Sequence, residues 1–190
     1  MAPLMAQNDG LWLGWPGDAL PGEPEGRERL MREWEQEHGY VAVEIPPKVS
    51  RSFYEGYAND TLWPLLHGFP TRVVFAPESW AAYRDANQRF AAAVLARTRK
   101  GDLIWAHDYQ LLLVPQMIRQ RAADARIGFF LHIPFPSSEV FRILPEREEL
   151  LRGLLGADSI AFQTHGHLHA VRRSRLQVLG RESQMDSVQV

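Results

Sequence analysis

Cysteine is absent from this 190-residue chain. That removes disulfides, thiolate nucleophiles and cysteine-based zinc sites together, and it suits an intracellular protein. No apolar run approaches the roughly 20 residues needed to span a bilayer. The first seven residues have neither the basic start nor the length of a signal peptide. A soluble, cytoplasmic protein is therefore expected, with no membrane partner. An excess of either charge is also lacking: 21 basic side chains against 23 acidic ones leave a formal net charge of -2, so no nucleic acid is expected as an electrostatic partner. GxGxxG, Walker, GxSxG and HExxH patterns do not occur. The dinucleotide, P-loop, serine-hydrolase and zinc-protease readings thus have no starting point.

What is present is an ordinary globular composition, 45% hydrophobic and 23% charged, with a length that suits one domain. Residues 11–15, 40–45 and 71–76 are short apolar runs bounded by Gly or Pro and read as strands. Residues 79–99 carry apolar side chains at helical spacing, closed by Lys100 and Gly101. Residues 103–106 (LIWA) read as a buried strand and 109–122 as a helix. Residues 127–133 (IGFFLHI) are nearly all apolar, as a parallel strand covered on both faces should be. Pro145, with Glu146, Glu148 and Glu149 behind it, opens a helix to Gly156. A strand at 159–163 and a His- and Arg-rich helix follow, while residues 16–26, rich in Pro and Gly, read as a loop. Alternation of strands and helices on short connections predicts an α/β fold: a Rossmann-like parallel sheet with flanking helices.

In such a sheet ligands bind beyond the carboxyl ends of the strands, and several polar residues fall at that edge. Trp15 ends the first strand, His107 and Asp108 the LIWA strand, His132 the IGFFLHI strand, and Gln163 the last. Each has a plainer reading: Asp108 can cap the helix starting at Tyr109, and His132 can be a satisfied core histidine. Their common placement favours a polar ligand, because a polar group buried there without a partner is costly. In residues 53–67, Asn59 or Asp60 can cap a helix starting near Thr61. Tyr54 and Trp63 are either core packing or a platform for a sugar ring. His165, His167 and His169 alternate, but no third ligand accompanies them and a solvated helix face is the expectation. Glu146, Glu148 and Glu149 read as helix-start acids rather than a glycosidase pair.

Four stretches carry a resemblance: LWLGWPG (11–17), YEGYANDTLWPLLHG (54–68), DLIWAHDYQLLLVPQMIR (102–119) and RIGFFLHIPFPSSEVFRILPEREELLRGLLGAD (126–158). In this order and spacing they closely resemble the trehalose-6-phosphate synthases, over nearly the whole chain. The resemblance implies a GT-B glycosyltransferase of two Rossmann-like halves, which transfers glucose from UDP-glucose to glucose 6-phosphate with retention and without a required metal or other cofactor. It implies that this chain is the N-terminal, acceptor-binding half. Tyr54 then matches a contact to the acceptor phosphate, and Asp108 a contact to acceptor hydroxyls. Trp63 and Ile133 match positions shaping anomer selectivity, Trp15 a tryptophan near the acceptor, and His132 a histidine where donor and acceptor meet. Catalysis would rest on orientation and charge stabilisation, without a protein nucleophile.

The same resemblance implies that the family's first strand, its phosphate-binding arginine, its glycine loop and the nucleotide-sugar domain lie outside residues 1–190. An open sheet edge and an inactive isolated chain are the expectations. Glucosylglycerol-phosphate and validoxylamine-phosphate synthases share much of this half, so acceptor identity stays open. A non-catalytic sugar-phosphate-binding fragment, oligomeric assembly and an incomplete reading frame also remain open.

Overall fold

The computed structural model describes residues 10–17 and 20–180. The first nine residues lie outside that description. So do residues 18 and 19 of the expected loop.

Strand β1 (Trp12–Gly14) is followed by α1 (Pro24–His38) and β2 (Tyr40–Ala42). The expected loop therefore stops at residue 23. Pro24, preset for the first helical turn, and Glu25 start α1. The helix stops at Gly39, whose φ of 62° lets its N–H reach back to the Trp34 and Glu35 carbonyls. Gly39 in turn accepts from the Trp12 N–H at 2.8 Å, so the helix end and the sheet start share one residue.

Helix α2 (Pro47–Arg51) runs directly into an eleven-residue π-helical segment, Ser52–Leu62, and then α3 (Trp63–Leu66). Asn59 and Asp60 lie inside this continuous helical stretch and cap nothing, which corrects that expectation. Residues 71–76 are not a strand. Pro70–Arg72 forms a single 3-10 turn. After it the Val74 N–H donates to Asp60 O at 3.0 Å, while Thr61 Oγ1 donates to Val74 O at 2.5 Å. Its backbone is committed to the π-helical segment instead of a sheet.

Helix α4 (Pro77–Arg97) leads to β3 (Leu103–His107), a 3-10 turn at Tyr109–Leu111 and α5 (Val114–Arg119). The one helix expected over 109–122 is thus two pieces. Next come β4 (Arg126–Leu131), α6 (Ser138–Phe141), α7 (Arg147–Leu154), β5 (Ser159–Phe162) and α8 (His165–Leu179).

All strand pairs are parallel. β1 pairs with β2, and β3, β4 and β5 pair in that order. β1 and β3 are not hydrogen-bonded to each other. They nevertheless face one another, since the Trp12 and His107 rings lie 6.2 Å apart. Trp12, Leu103 and Trp105 are exposed, the last two on the same face of β3 as His107. Elsewhere the core is dense: Tyr83, Phe129, Leu131, Phe141 and Leu150 are fully buried between sheet and helices. Asp158 ties β4 to β5 by accepting from the Ile127 N–H at 2.7 Å and from Arg119 at 2.6 Å. These bonds hold its carboxyl below the usual carboxylate range. No helix among the described residues is long and apolar enough to cross a membrane.

Helix α7 docks on the turn after β3 through glycine. A Cβ on Gly153 would sit 2.6 Å from Leu112 O and 2.8 Å from Leu113 Cα, both backbone atoms that cannot swing aside. Gly153→Ala should therefore destabilise the domain by about 1–3 kcal/mol in urea unfolding. Gly22→Ala, in open space, should leave the midpoint unchanged; equal effects would refute the docking account.

Candidate functional site

Three parallel strands deliver their last residues to one edge. β3 ends at His107 and hands on to Asp108, β4 to His132 and Ile133, and β1 to Trp15. Asp108 is fixed from three directions. Its N–H donates to Phe130 O at 2.9 Å, its Oδ1 accepts from the Tyr109 N–H at 3.0 Å, and its backbone stands at φ 68°, ψ 170°. The capping interaction expected of it is present. A capping residue normally sits in the extended region, however. The observed conformation belongs almost entirely to glycine and costs about 1–3 kcal/mol. Among the described residues Asp108 is the only non-glycine with positive φ. Strain of this kind persists only where the surrounding structure holds it.

The clamp behind it is a buried polar pair on α4. Tyr83 Oη donates to Tyr109 O at 2.7 Å and accepts from the Leu112 N–H at 3.1 Å. Asn87 Nδ2 donates to Gln110 O at 2.9 Å, and its Oδ1 accepts from the Leu113 N–H at 3.2 Å. Residues 109–113 are too irregular to satisfy their own backbone, so α4 does it for them. Nothing in the apolar spacing of α4 marks Asn87; the only signal is a Tyr and an Asn four residues apart on its buried face.

Next to Asp108, His107 Nδ1 and His132 Nε2 are 3.1 Å apart, with the two rings stacked at 5.3 Å. Burial, and then the neighbouring His132, hold His107 below the ordinary imidazole range despite the opposing pull of Asp108. The Tyr109 phenol donates to Asn59 Oδ1 at 2.9 Å. Burial, followed by Tyr54 and Asp108, raises its pKa to about 12. This bond ties the strand edge to the π-helical segment, where Tyr54 is exposed and lies 5.7 Å from the Trp15 ring.

The structure thus gathers Trp15, Tyr54, Asp108 and His132, with half-buried Ile133 packed against the core behind them. Trp63 is exposed and its ring lies tilted against His67, 4.1 Å between centroids. No ring contact or hydrogen bond among the described residues joins it to the other candidates. Gln163 is exposed just past β5. His167 accepts from the Phe135 N–H at 3.3 Å, and no cluster among the described residues could hold a metal. Glu146 accepts from Tyr57 at 3.1 Å and Glu149 pairs with Arg84 at 3.1 Å, so neither is aimed at a scissile bond.

Parallel strands flanked by helices, with aromatic rings, a strained carboxylate and a histidine pair at their carboxyl ends, define a Rossmann-like α/β domain. The chain belongs to glycosyltransferase family 20, whose sequence profile matches residues 1–188. It is 46% identical over 162 residues to α,α-trehalose-phosphate synthase [UDP-forming] 1 of Aspergillus niger, covering 82% of this chain and 31% of that protein. The crystal structure of a UDP-forming synthase from Burkholderia xenovorans superposes with a TM-score of 0.82 at 29% identity, over 97% of this chain and 40% of that one. A synthase from the same organism in complex with glucose-6-phosphate gives a TM-score of 0.74 at 30% identity, covering 88% and 36%. The chain thus spans about a third of the curated relative's length.

Two substitutions test the geometry. Asn87→Leu leaves Gln110 O and Leu113 N–H buried without partners and should cost about 2–4 kcal/mol in chemical unfolding. Asp108→Gly removes the strain together with one capping bond of about 1 kcal/mol, so stability should hold or rise by up to ~2 kcal/mol. A clear loss of stability in the glycine variant would show that the conformation is not strained.

Proposed function

We propose that this chain is the acceptor-binding half of a UDP-forming α,α-trehalose-phosphate synthase, which transfers glucose from UDP-glucose to glucose 6-phosphate with retention. The observation that carries this is the strained Asp108, whose neighbour Tyr109 bonds Asn59 of the π-helical segment that carries Tyr54, itself paired with Trp15. It unites a fixed hydrogen-bond acceptor for sugar hydroxyls with aromatic surface for a pyranose. In this reading Asp108 takes acceptor hydroxyls and the Tyr54 hydroxyl donates to the acceptor phosphate. Trp15 flanks the acceptor, Trp63 and Ile133 bear on the anomer accepted, and His132 stands where donor and acceptor meet.

In the reaction the bond from the glucosyl anomeric carbon to UDP breaks and a bond from that carbon to an acceptor hydroxyl oxygen forms. The hydroxyl proton leaves with the departing diphosphate. No metal, cofactor or protein nucleophile enters this scheme; positioning and charge stabilisation supply the rate. The candidate residues are assigned to the acceptor, and none of them to the diphosphate of UDP-glucose. Location in the cytoplasm accords with the absence of cysteine.

Isothermal titration of the 190-residue chain with glucose 6-phosphate tests the proposal. Binding is expected, with glucose alone much weaker. Tyr54→Phe, by removing a hydrogen bond to a charged group, should weaken the phosphate ester about tenfold to a hundredfold. With UDP-glucose added, no UDP should be released. An unchanged affinity in Tyr54→Phe, or no binding at all, would overturn the acceptor-site assignment.

A further inference from the structure

A groove of about 320 Å³ runs between α4, α5 and α7, and none of the candidate residues at the sheet edge lines it. Its origin is the shortness of α5. That helix has six residues and packs against both α4 and α7, which makes it a floor between two longer walls. Ala91 of α4 and Gly153 of α7 contribute to the lining, and residues so small leave the space unfilled. Across the groove the walls are joined by an ion pair, Arg84 of α4 to Glu149 of α7 at 3.1 Å.

The lining is unusual in its unspent polar groups. Gln88 comes from α4, Gln116 from α5, and Gln120 and Arg121 from the residues just past α5. None of these four side chains has a protein partner among the described residues. Arg152 also lines the groove and pairs along α7 with Glu148 at 3.2 Å. The lining therefore holds three guanidinium groups against the single carboxylate of Glu149, and that carboxylate is taken by Arg84. A guanidinium offers a planar fork that grips phosphate through two parallel bonds. Carboxamides both donate and accept, so they suit hydroxyl groups. The volume lies at the lower end of ligand cavities, ~300–1,000 Å³, which favours a molecule of sugar-phosphate size over a nucleotide.

We infer that this groove is a second binding site, for a small polyol phosphate, with the phosphate on Arg121 and the hydroxyls on the three glutamines. It shares no residue with the proposed acceptor site, so either can bind without the other. The two are nevertheless joined through one residue. Leu113 lines the groove, and its N–H donates to Asn87 Oδ1 at 3.2 Å, within the clamp behind Asp108. A ligand held between α4 and α7 thus bears on the turn that fixes the carboxylate.

Backbone amide proton–nitrogen spectra of the 190-residue chain, titrated with ribose 5-phosphate at constant ionic strength, test the site. Saturable shifts are expected at Gln88, Ala91, Leu113, Met117 and Gly153, with inorganic phosphate weaker and ribose weaker still. Arg121→Gln, at an exposed side chain without a partner, should weaken ribose 5-phosphate about tenfold to a hundredfold. Gln88→Ala should weaken it about threefold to tenfold and leave inorganic phosphate unchanged. Tyr54→Phe should not alter the groove shifts. Shifts that never saturate, shifts confined to Tyr54, Asp108 and His132, or an unchanged affinity in Arg121→Gln would each overturn the inference. If glucose 6-phosphate binds at the sheet edge while the groove ignores ribose 5-phosphate, this site falls and the functional proposal stands. If the groove binds and the sheet edge does not, the reverse holds.

Discussion

The four hydrogen bonds that Tyr83 and Asn87 make to the chain after β3 are the constraint on which the candidate site depends. A parallel strand must hand its chain to a helix at the carboxyl edge of the sheet, and the residues of the handover cannot all bond within their own turn. Here the donors and acceptors of residues 109–113 are met by side chains from α4, a fully buried helix face. With the following turn held, Asp108 has no route to an easier conformation, and its carboxylate stays at the edge. Tyr83 also stacks on Trp80 at 5.7 Å and meets Tyr57 at 4.8 Å. The clamp is thereby continuous with the π-helical segment that carries Tyr54.

That segment shows why a helix of unusual pitch suits this place. Widening the turn changes which residues share a face, so Tyr54 can be exposed toward Trp15 while Phe53, Tyr57 and Ala58 are buried. Gly56 allows the segment to lie against α4, since a Cβ there would meet Ser79 Oγ at 2.5 Å. π-helical turns are rare and concentrate at functional sites, which agrees with the position of Tyr54 and Asn59 beside the crevice.

Much of this was legible in the residues. Apolar runs at 103–106 and 127–133 found β3 and β4 because burial on both faces leaves an unbroken hydrophobic signature. The edge placement of Asp108 and His132 followed from the strand ends. Residues 71–76 have the same apolar look and yet form no strand; Val74 and Phe75 are more than half exposed. Their backbone is bonded to Asp60 and Thr61, contacts that composition does not reveal. Helix α1 is legible only from Leu30, Met31 and Trp34, half-buried on one face of an otherwise charged segment in which Gly26 alone is buried. The site's scaffold was the least visible part, because buried Asn87 acts through the backbone of another element and Asp108 signals its strain only through a dihedral angle.

Among the described residues no strand pairs with the facing edges of β1 and β3, which bears on how this stretch of chain behaves in concentrated solution. Open strand edges attract other extended backbones and are a recognised route to aggregation, and Trp12, Leu103 and Trp105 add exposed apolar surface on the same strands. Two features blunt the hazard. The edges are short, three residues in β1 and five in β3, and the Trp12 ring lies close to that of His107. Solubility and the geometry of the crevice therefore meet at one imidazole, so that a change at His107 chosen for its effect on the site also alters the surface by which the molecules meet one another.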